Sequence, residues 1–420
     1  MKQLSRNKPI TKEKYAKIFF YLIIGIWFVT PILILRPFKK IYFAPLQTSR
    51  IGHFILDTEI LLARVHADQV NSRKKIFVIW VPDSYICNYY VYNIWKQKIS
   101  IVPYNVVTSA ILLTAVYLEK IIKIRITYRF IGWDGYLPYQ QLLENTPAIF
   151  GMPEEDEKEC IKALQLNGVD ISKQWVCILG RDNGYLNATQ PNLSWDFNSY
   201  RNSNIETYKD AAEYLASKNI MVFRMGAHVG KPFMSNNSKL IIDYANSGWR
   251  TEKLDIFLSV KCLFFISSST GLDSVRYAIR KPVVIVNLAQ PLTLIKYKVD
   301  QLFIAKKFFY KKTNKFLSAK QFYELGSIDG FTVDNPRHLR TQDFERLEID
   351  VIDNTASEIK DVTVEMYEFL AKKNDNVMQL SEKQVKFWEK FPNIFGFDES
   401  TPVLSRIGKK FIDQNPWLLD

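Results

Sequence analysis

Metal-binding and redox signatures are missing from this chain. Its four cysteines, Cys87, Cys160, Cys177 and Cys262, are far apart, form no CxxC pair and have no histidine ladder nearby. They read as buried free thiols of a protein in a reducing compartment. Histidine is equally scarce: His53, His66, His228 and His338 are the only four, with no two at metal-ligand spacing. A zinc enzyme is not expected. No Walker loop with its lysine and no GxGxxG after a strand occurs, which argues against an NTPase and against a nicotinamide or flavin enzyme.

Basic charge is scarce outside one region. The net charge is +13, yet residues 1–50 hold ten Lys or Arg against the single acid Glu13, and the other 370 residues are nearly balanced. A nucleic-acid binder would spread its cations over a groove-sized surface, so that class is set aside. The excess instead flanks an uncharged run from Ile18 to Leu35, with Lys12, Lys14 and Lys17 before it and Arg36, Lys39 and Lys40 after it. This is about the minimum length for a membrane-spanning helix. Pro31, Pro37 and the lack of a small-residue cleavage site speak against a removed signal peptide. Residues 1–40 therefore read as a single membrane anchor or an interfacial helix, its cations held by the anionic cytoplasmic leaflet, with a helix buried against the body as the alternative that the basic flanks disfavour.

What remains has ordinary globular composition, 47% hydrophobic and 24% charged, and enough length for two domains. Aromatics reach 14%, supplying material for the core and for stacking on sugars or bases, as at Tyr185 or Trp249. Short β-rich runs alternate with helical stretches. Lys40 to Pro45 and Arg50 to Phe54 read as strands, with a tight glycine turn before a helix from Asp57 to Val70; Ile76 to Val81 reads as a buried parallel strand. The acidic stretch Pro153 to Glu159, followed by Asn167-Gly168, reads as an interdomain connection, with the boundary near 165 to 174.

The second half repeats the pattern more clearly. Strands are expected at Trp175 to Gly180, Ile220 to Gly226, Cys262 to Ser267 and Val283 to Asn287. Helices are expected at Ile205 to Lys218, with Ser203 and Glu206 at capping-box spacing, at Thr251 to Val260, and from the Ser268–Gly271 turn to Arg280. Ser357 to Lys372 and Ser381 to Lys390 read as amphipathic closing helices. The expected organisation is an anchor (1–40), an acceptor domain (41–170), a donor domain (171–350) and closing helices (351–420).

In an open α/β sheet ligands bind beyond the carboxyl ends of the strands. The loops after Gly180, Met225 and Ser267 should then converge, and all are polar. In Ser267-Ser268-Ser269-Thr270-Gly271, hydroxyls and free N–H groups at a helix start suit a phosphate, with Asp273 as a partner for the helix dipole. The same residues also suit simple helix capping. Arg181, Arg201 with Asn202, and Arg224 supply cations for a diphosphate pocket. In the first domain Gly52-His53, with Asp57 and Glu59 close behind, offers a general base for a hydroxyl, or equally a capped helix start.

Several blocks carry a family resemblance. Leu35-Arg36-Pro37, Ser49-Arg50-Ile51-Gly52-His53, Asp57-Thr58-Glu59, Arg181-Asp182, Tyr200-Arg201-Asn202-Ser203, Arg224-Met225-Gly226, Asp243-Tyr244-Ala245, Ser268 through Asp273, and Pro282-Val283 follow one another over roughly residues 35 to 295. In that order they resemble a bacterial family of glycosyltransferases associated with surface-polysaccharide gene sets, itself similar to heptosyltransferases and other GT-B enzymes. Asp57 stands where the family pattern has Asn, so Glu59 is the closer match.

The resemblance implies two Rossmann-like domains facing a cleft and a nucleotide-sugar donor; no further cofactor is expected, and the arginines with the Ser268–Gly271 turn would offset the diphosphate charge without a metal. The acceptor is not implied by it; with the apolar helix near the N-terminus, the expected acceptor is a lipid-linked or growing polysaccharide. His53, Glu59 or Asp57 would act on the acceptor; Arg181, Asp182, Arg201, Asn202, Arg224, Gly226, Ser268, Ser269, Thr270, Gly271 and Asp273 would hold the donor. Two alternatives stay open: a sugar- or polyol-phosphate transferase working on a lipid carrier, and a non-catalytic component of a polysaccharide assembly complex.

Overall fold

The computed structural model describes residues 12–72, 76–129, 142–143, 145–235, 239–289, 300–323, 325, 339–372, 380–390 and 405–420. Its contacts divide the chain into two units, Met1–Trp133 and Asp134–Asp420. That division precedes the connection expected near 165 to 174. The acidic stretch is a helix of the second unit: Asp156 and Glu159 hold Lys253, and Glu157 holds Lys261. The segment before it is fixed there too, by Arg280 donating to the carbonyls of Leu143 and Thr146.

The first unit opens with helix α1 (Lys12–Leu35), which leads into strand β1 (Lys40–Leu46). Helix α2 (Thr58–Ser72) and strand β2 (Ile76–Pro82) follow, then α3 (Tyr89–Lys98) and α4 (Val106–Ile122). β1 and β2 pair in parallel, Lys40 opposite Ile76 through Leu46 opposite Pro82. Parallel bridges Phe43–Thr127 and Trp80–Ile101 add one residue on each side. Among the described residues this is less sheet than a Rossmann-like domain carries.

One expectation fails here. Arg50 to Phe54 is not a strand: helix begins at Ile51, and His53–Asp57 forms a π-helical turn that runs into α2. Phe54, Ile55 and Leu56 form a continuous buried run, which has the same look in strand and in helix and which tertiary packing accepts here as helix.

The second unit is built on a seven-stranded sheet of order β12-β8-β7-β6-β3-β4-β5. Its strands are β3 (Trp175–Leu179), β4 (Met221–Arg224), β5 (Ile241–Ile242), β6 (Phe265–Ser267), β7 (Val283–Leu288), β8 (Gln301–Ala305) and β12 (Arg406–Ile407), and every pairing is parallel. Val176, Ile178, Val222, Phe223, Ile266 and Val284 are fully enclosed, as parallel strands covered on both faces should be. A small antiparallel sheet, in which β9 (Lys307–Tyr310) lies between β10 (Lys315–Phe316) and β11 (Ile349–Ile352), and the return of β12 beside β8 carried no signal in the sequence. The chain is thus of the expected α/β class, with a parallel sheet and an apolar helix near its N-terminus.

The crossover helices follow the expected pattern with shorter regular cores. The helix expected from Ile205 begins as a 3-10 turn, Ile205–Tyr208, before its α-helical part, Lys209–Ser217. Its cap is not Ser203. Asn204 accepts from the Glu206 N–H, while Ser203 Oγ bonds the Tyr208 hydroxyl at 2.9 Å. The helix Glu252–Lys261 is capped by Thr251, and the closing helices are Ala356–Ala371 and Glu382–Lys390.

Candidate active site

The sheet order makes one place special. From β3 the chain runs outward to β4 and β5, then returns to lay β6 on the other side of β3 and continues to β7 and β8. The gap between the carboxyl ends of β3 and β6 is therefore a topological switch point, where loops diverge and leave a crevice. The loops after β3, β4 and β6 share this edge, as the sequence led us to expect.

Hydrogen bonds lock these loops together. The Arg181 N–H donates to Ser268 Oγ at 2.7 Å, joining the two loops across the switch point, and the Ser203 N–H donates to the Arg181 carbonyl at 2.8 Å. Arg201 Nη2 reaches the Ser269 carbonyl at 3.5 Å. Arg181, Asp182, Arg201, Asn202, Ser269 and Thr270 are all half-buried and Gly271 is exposed, so a ligand can reach them. Ser269 sits at φ 57°, a left-handed conformation that costs a non-glycine residue energy and recurs where binding loops are held under strain.

Asp182 fixes the rim: its two oxygens accept from the N–H groups of Gly184 and Gly230, both at 2.8 Å. Gly226 is required by geometry, since its φ is 146° and a Cβ there would overlap Val229.

Two members of the expected donor set have other tasks. Arg224 is 1% exposed; its guanidinium bonds Asp243 at 3.2 Å and the Lys231 carbonyl at 3.0 Å. Burial lowers its pKa against the pull of Asp243 and Asp182. It ties down the loop after β4 rather than standing open as a phosphate clamp. Asp273 completes a capping box with Thr270, accepting from the Thr270 N–H at 2.9 Å and from Ser267 Oγ at 2.8 Å. Burial pushes its pKa up to about 7, against those bonds and the charge of Arg201. The Thr270 N–H thus serves the cap, and the phosphate reading of this turn rests on Ser268, Ser269 and Gly271.

Sequence reasoning missed a cation. Lys306, 3% exposed, follows β8 and donates to the Asn202 carbonyl at 2.5 Å and to Asp353 at 2.6 Å. Burial lowers its pKa, Asp353 opposes this, and the nearby Arg181 adds to the lowering. Asn287, at φ 52°, exchanges 2.6 Å bonds with Asn354 and donates to Ser203 Oγ at 2.9 Å. Neither Lys306 nor Asp353 carries a local signal, because each meets the loop at 202 through long-range folding. Of the aromatics, Tyr185 lies beside His228, 6.1 Å between ring centres, and Trp249 packs on the buried Tyr244 at 4.9 Å.

In the first unit the loop after β1 is tied to the loop after β2: Ser49 Oγ donates to Asp83 at 2.8 Å and Thr48 Oγ1 to the Tyr85 carbonyl at 2.7 Å. His53 follows directly, and its Nδ1 lies 2.9 Å from Asp57 Oδ2. The imidazole is 40% exposed and the carboxylate behind it 9%. Partial burial pulls the His53 pKa down, but Asp57 outweighs it and the net shift is upward. Nδ1 thereby holds the proton and Nε2 is left as the basic nitrogen, the arrangement of an oriented general base. Glu59 is completely buried in the first turn of α2, so His53 backed by Asp57 is the pair that can meet a substrate. No group of three or more His, Cys, Asp or Glu suited to a metal occurs among the described residues.

No family model matches the chain, and no curated protein matches it. Among solved structures it is distantly similar to the ADP-heptose lipopolysaccharide heptosyltransferase II of E. coli, at 10% identity and a TM-score of 0.43, covering 80% of this chain and 100% of that one. A family 9 glycosyltransferase from Veillonella parvula has 10% identity and a TM-score of 0.42 over 73% of this chain and 97% of that one. An iron-containing dodecameric glycosyltransferase from enterotoxigenic E. coli has 12% identity and a TM-score of 0.34 over 80% and 76%.

Proposed function

We propose that this chain is a glycosyltransferase that moves a sugar from a nucleotide-sugar donor to a lipid-linked or growing surface-polysaccharide acceptor at the cytoplasmic face of a membrane. The observation that carries the reading is the gathering of Arg181, Arg201 and Lys306 with the strained Ser268–Gly271 turn at the switch point between β3 and β6. Cations and hydroxyls at that place match a diphosphate and offset the charge that grows on it as the glycosidic bond breaks. Arg181 and Arg201 contact the donor diphosphate, while Asp182, Arg224, Gly226 and Asp273 hold the loops that present it. Asn202, whose Oδ1 is buried without a partner among the described residues, accepts from a donor hydroxyl.

His53 takes the proton of the acceptor hydroxyl on Nε2, and Asp57 stabilises the imidazolium that forms. We read the reaction as metal-independent, with arginines in the place of a divalent cation; loss of turnover on chelation would remove that part of the reading. The α1 helix, long and apolar enough to cross a membrane, holds the chain near a lipid-linked acceptor.

The test is the thermal stability of the full chain in detergent with a panel of nucleosides, nucleotides and nucleotide sugars. A nucleoside diphosphate at 100 times its dissociation constant adds about 2.7 kcal/mol, whereas the bare nucleoside adds little. Arg201→Ala abolishes the gain. The reading fails if no nucleotide shifts the transition, or if the shift survives the substitution. Release of a nucleoside diphosphate during turnover separates sugar transfer from sugar-phosphate transfer, which releases a monophosphate.

A further inference from the structure

Helix α1 has 24 residues, about 36 Å at ~1.5 Å per residue, enough to cross a bilayer upright. Its packing argues against that orientation. Gly25 lies directly on α4, where a Cβ would overlap Thr114 Oγ1 and the Ala110 carbonyl. Thr114 Oγ1 also donates to the Tyr21 carbonyl at 3.5 Å. Val29 is completely buried, and with Ile32 and Leu33 it packs against Ile111, Leu112, Ala115 and Leu118 of α4 and against Phe43 of β1. The helix is thus held along residues 21 to 33, the stretch that an upright span would place in the middle of the hydrocarbon.

What it is held to is not membrane interior. Thr127 Oγ1 donates to Glu119 of α4 at 2.5 Å, and Arg129 lies 3.8 Å from the same carboxylate. Just beyond, Asp68 accepts from Arg125 at 2.7 Å and from Tyr128 at 2.8 Å. An upright α1 would draw these ionised groups into hydrocarbon with it, which is strongly unfavourable.

The outward side of α1 nevertheless demands an apolar medium. Phe19 is 65% exposed, Trp27 77% and Ile34 68%, and Phe38 beyond the helix is 84% exposed. α4 extends this surface with Tyr117 and Ile121, exposed one turn apart, and Ile124 just beyond its left-handed cap Lys123 is exposed as well. Exposed Lys17, Lys39, Lys120 and Lys123 accompany these apolar side chains. Interfacial helices ordinarily bring their own polar face. α1 lacks one because that side is covered by α4.

We infer that α1 lies in the plane of an anionic membrane surface with α4 beside it, both ends of α1 remaining on the same side of the bilayer. This rests on the reading of α1 as a membrane-binding helix and decides its orientation. The lysines supply attraction to anionic headgroups, and the aromatic and aliphatic side chains enter the acyl boundary.

Three measurements on the full chain test it separately. The first is flotation with vesicles of phosphatidylglycerol and phosphatidylcholine against phosphatidylcholine alone; binding about tenfold tighter to the anionic vesicles is expected. No flotation with either, together with cross-linking into dimers through α1, would assign the surface to a second copy and overturn membrane binding itself. The second uses a Cys87→Ser background, in which the remaining cysteines Cys160, Cys177 and Cys262 are buried, with Glu13→Cys or Phe38→Cys added. An impermeant maleimide should label both positions in inside-out membrane vesicles and neither in right-side-out ones. Labelling from opposite faces would show that α1 spans and overturn the inference while leaving membrane binding intact. Adding Ile121→Cys with a polarity-sensitive dye tests α4: its emission should shift to the blue on anionic vesicles, and an unchanged spectrum would remove α4 from the docking surface.

Discussion

The two units solve the burial problem in opposite ways. Asp134–Asp420 folds around a seven-stranded parallel sheet whose central side chains, among them Val222, Phe223, Ile266 and Val284, are fully enclosed. Met1–Trp133 has two paired strands among its described residues and leaves Phe19, Trp27, Ile34, Phe38 and Ile121 largely outside. Soluble surfaces seldom carry such a concentration of large apolar side chains. The difference teaches that the same amino acids are placed in two ways here: one unit encloses them, and the other leaves them outside, where the membrane docking proposed above would give them an apolar medium.

The candidate chemistry follows the same division. The carboxylate of Asp273, in the second unit, is sealed in a helix cap and rises to about 7, whereas Asp57 in the first unit backs a His53 that solvent can reach. His53→Ala should sharpen this contrast most. With general-base catalysis worth about 10²–10⁴-fold, kcat falls by that factor while the donor's thermal shift is retained; unchanged turnover would remove His53 from the mechanism. Asp57→Asn removes the main cause of the raised His53 pKa. It should move the acidic limb of the pH–rate profile to lower pH and lower the plateau, which a purely structural role would not do.

Gly25→Leu comes next. The added side chain overlaps Thr114 and Ala110, and overpacking of this kind costs about 1–3 kcal/mol. We expect the loss in the unfolding of the first unit, with nucleotide binding by the second unit unaffected. A variant as stable as the parent would break the claim that α1 is docked on α4.

A smaller effect is expected from pH. Asp273 in the folded chain titrates near 7 and Asp255 near 6, both raised by burial above the ordinary carboxylate value of 3.8. The folded state therefore binds more protons than the unfolded one between about pH 4 and 7. Stability is full below that window and falls as pH rises through it, by at most about 1.4 kcal/mol per pH unit for each group. The melting temperature should be lower at pH 7.5 than at pH 5, and Asp273→Asn should flatten the decline; a flat parent profile would refute it. The smallest change is predicted for Trp27→Ala, within about 0.5 kcal/mol of stability in detergent as for other surface positions. Its vesicle binding should weaken all the same, and equal binding would exclude Trp27 from the lipid contact.

Much of this architecture was legible locally. Apolar runs ending in glycine or a polar turn marked β3, β4, β6 and β7, and Thr251 marked a helix start, because strand pattern and capping are short-range properties. The polar loops at 181, 225 and 268 could be placed on one sheet edge once the strands were taken as parallel. The His53 turn was misread as strand, since a run of buried apolar residues has the same look in either conformation. Arg224 could not be told from a ligand-facing arginine: its partner Asp243 lies 19 residues on, and enclosure is a property of the packed loop.

The sequence by itself determined the α/β alternation, the cationic apolar helix near the N-terminus and the inventory of polar loops, all of which depend on residues near one another in the chain. Only the tertiary structure decided that β6 returns beside β3 to create the switch point, that Lys306 and Asp353 join the loop at 202, and that α1 is clasped by α4 through Gly25. The physical reason is shared by all three. Contacts between segments tens to a hundred or more residues apart depend on which surfaces remain to be buried once the local elements have formed, and that choice is made by the whole chain.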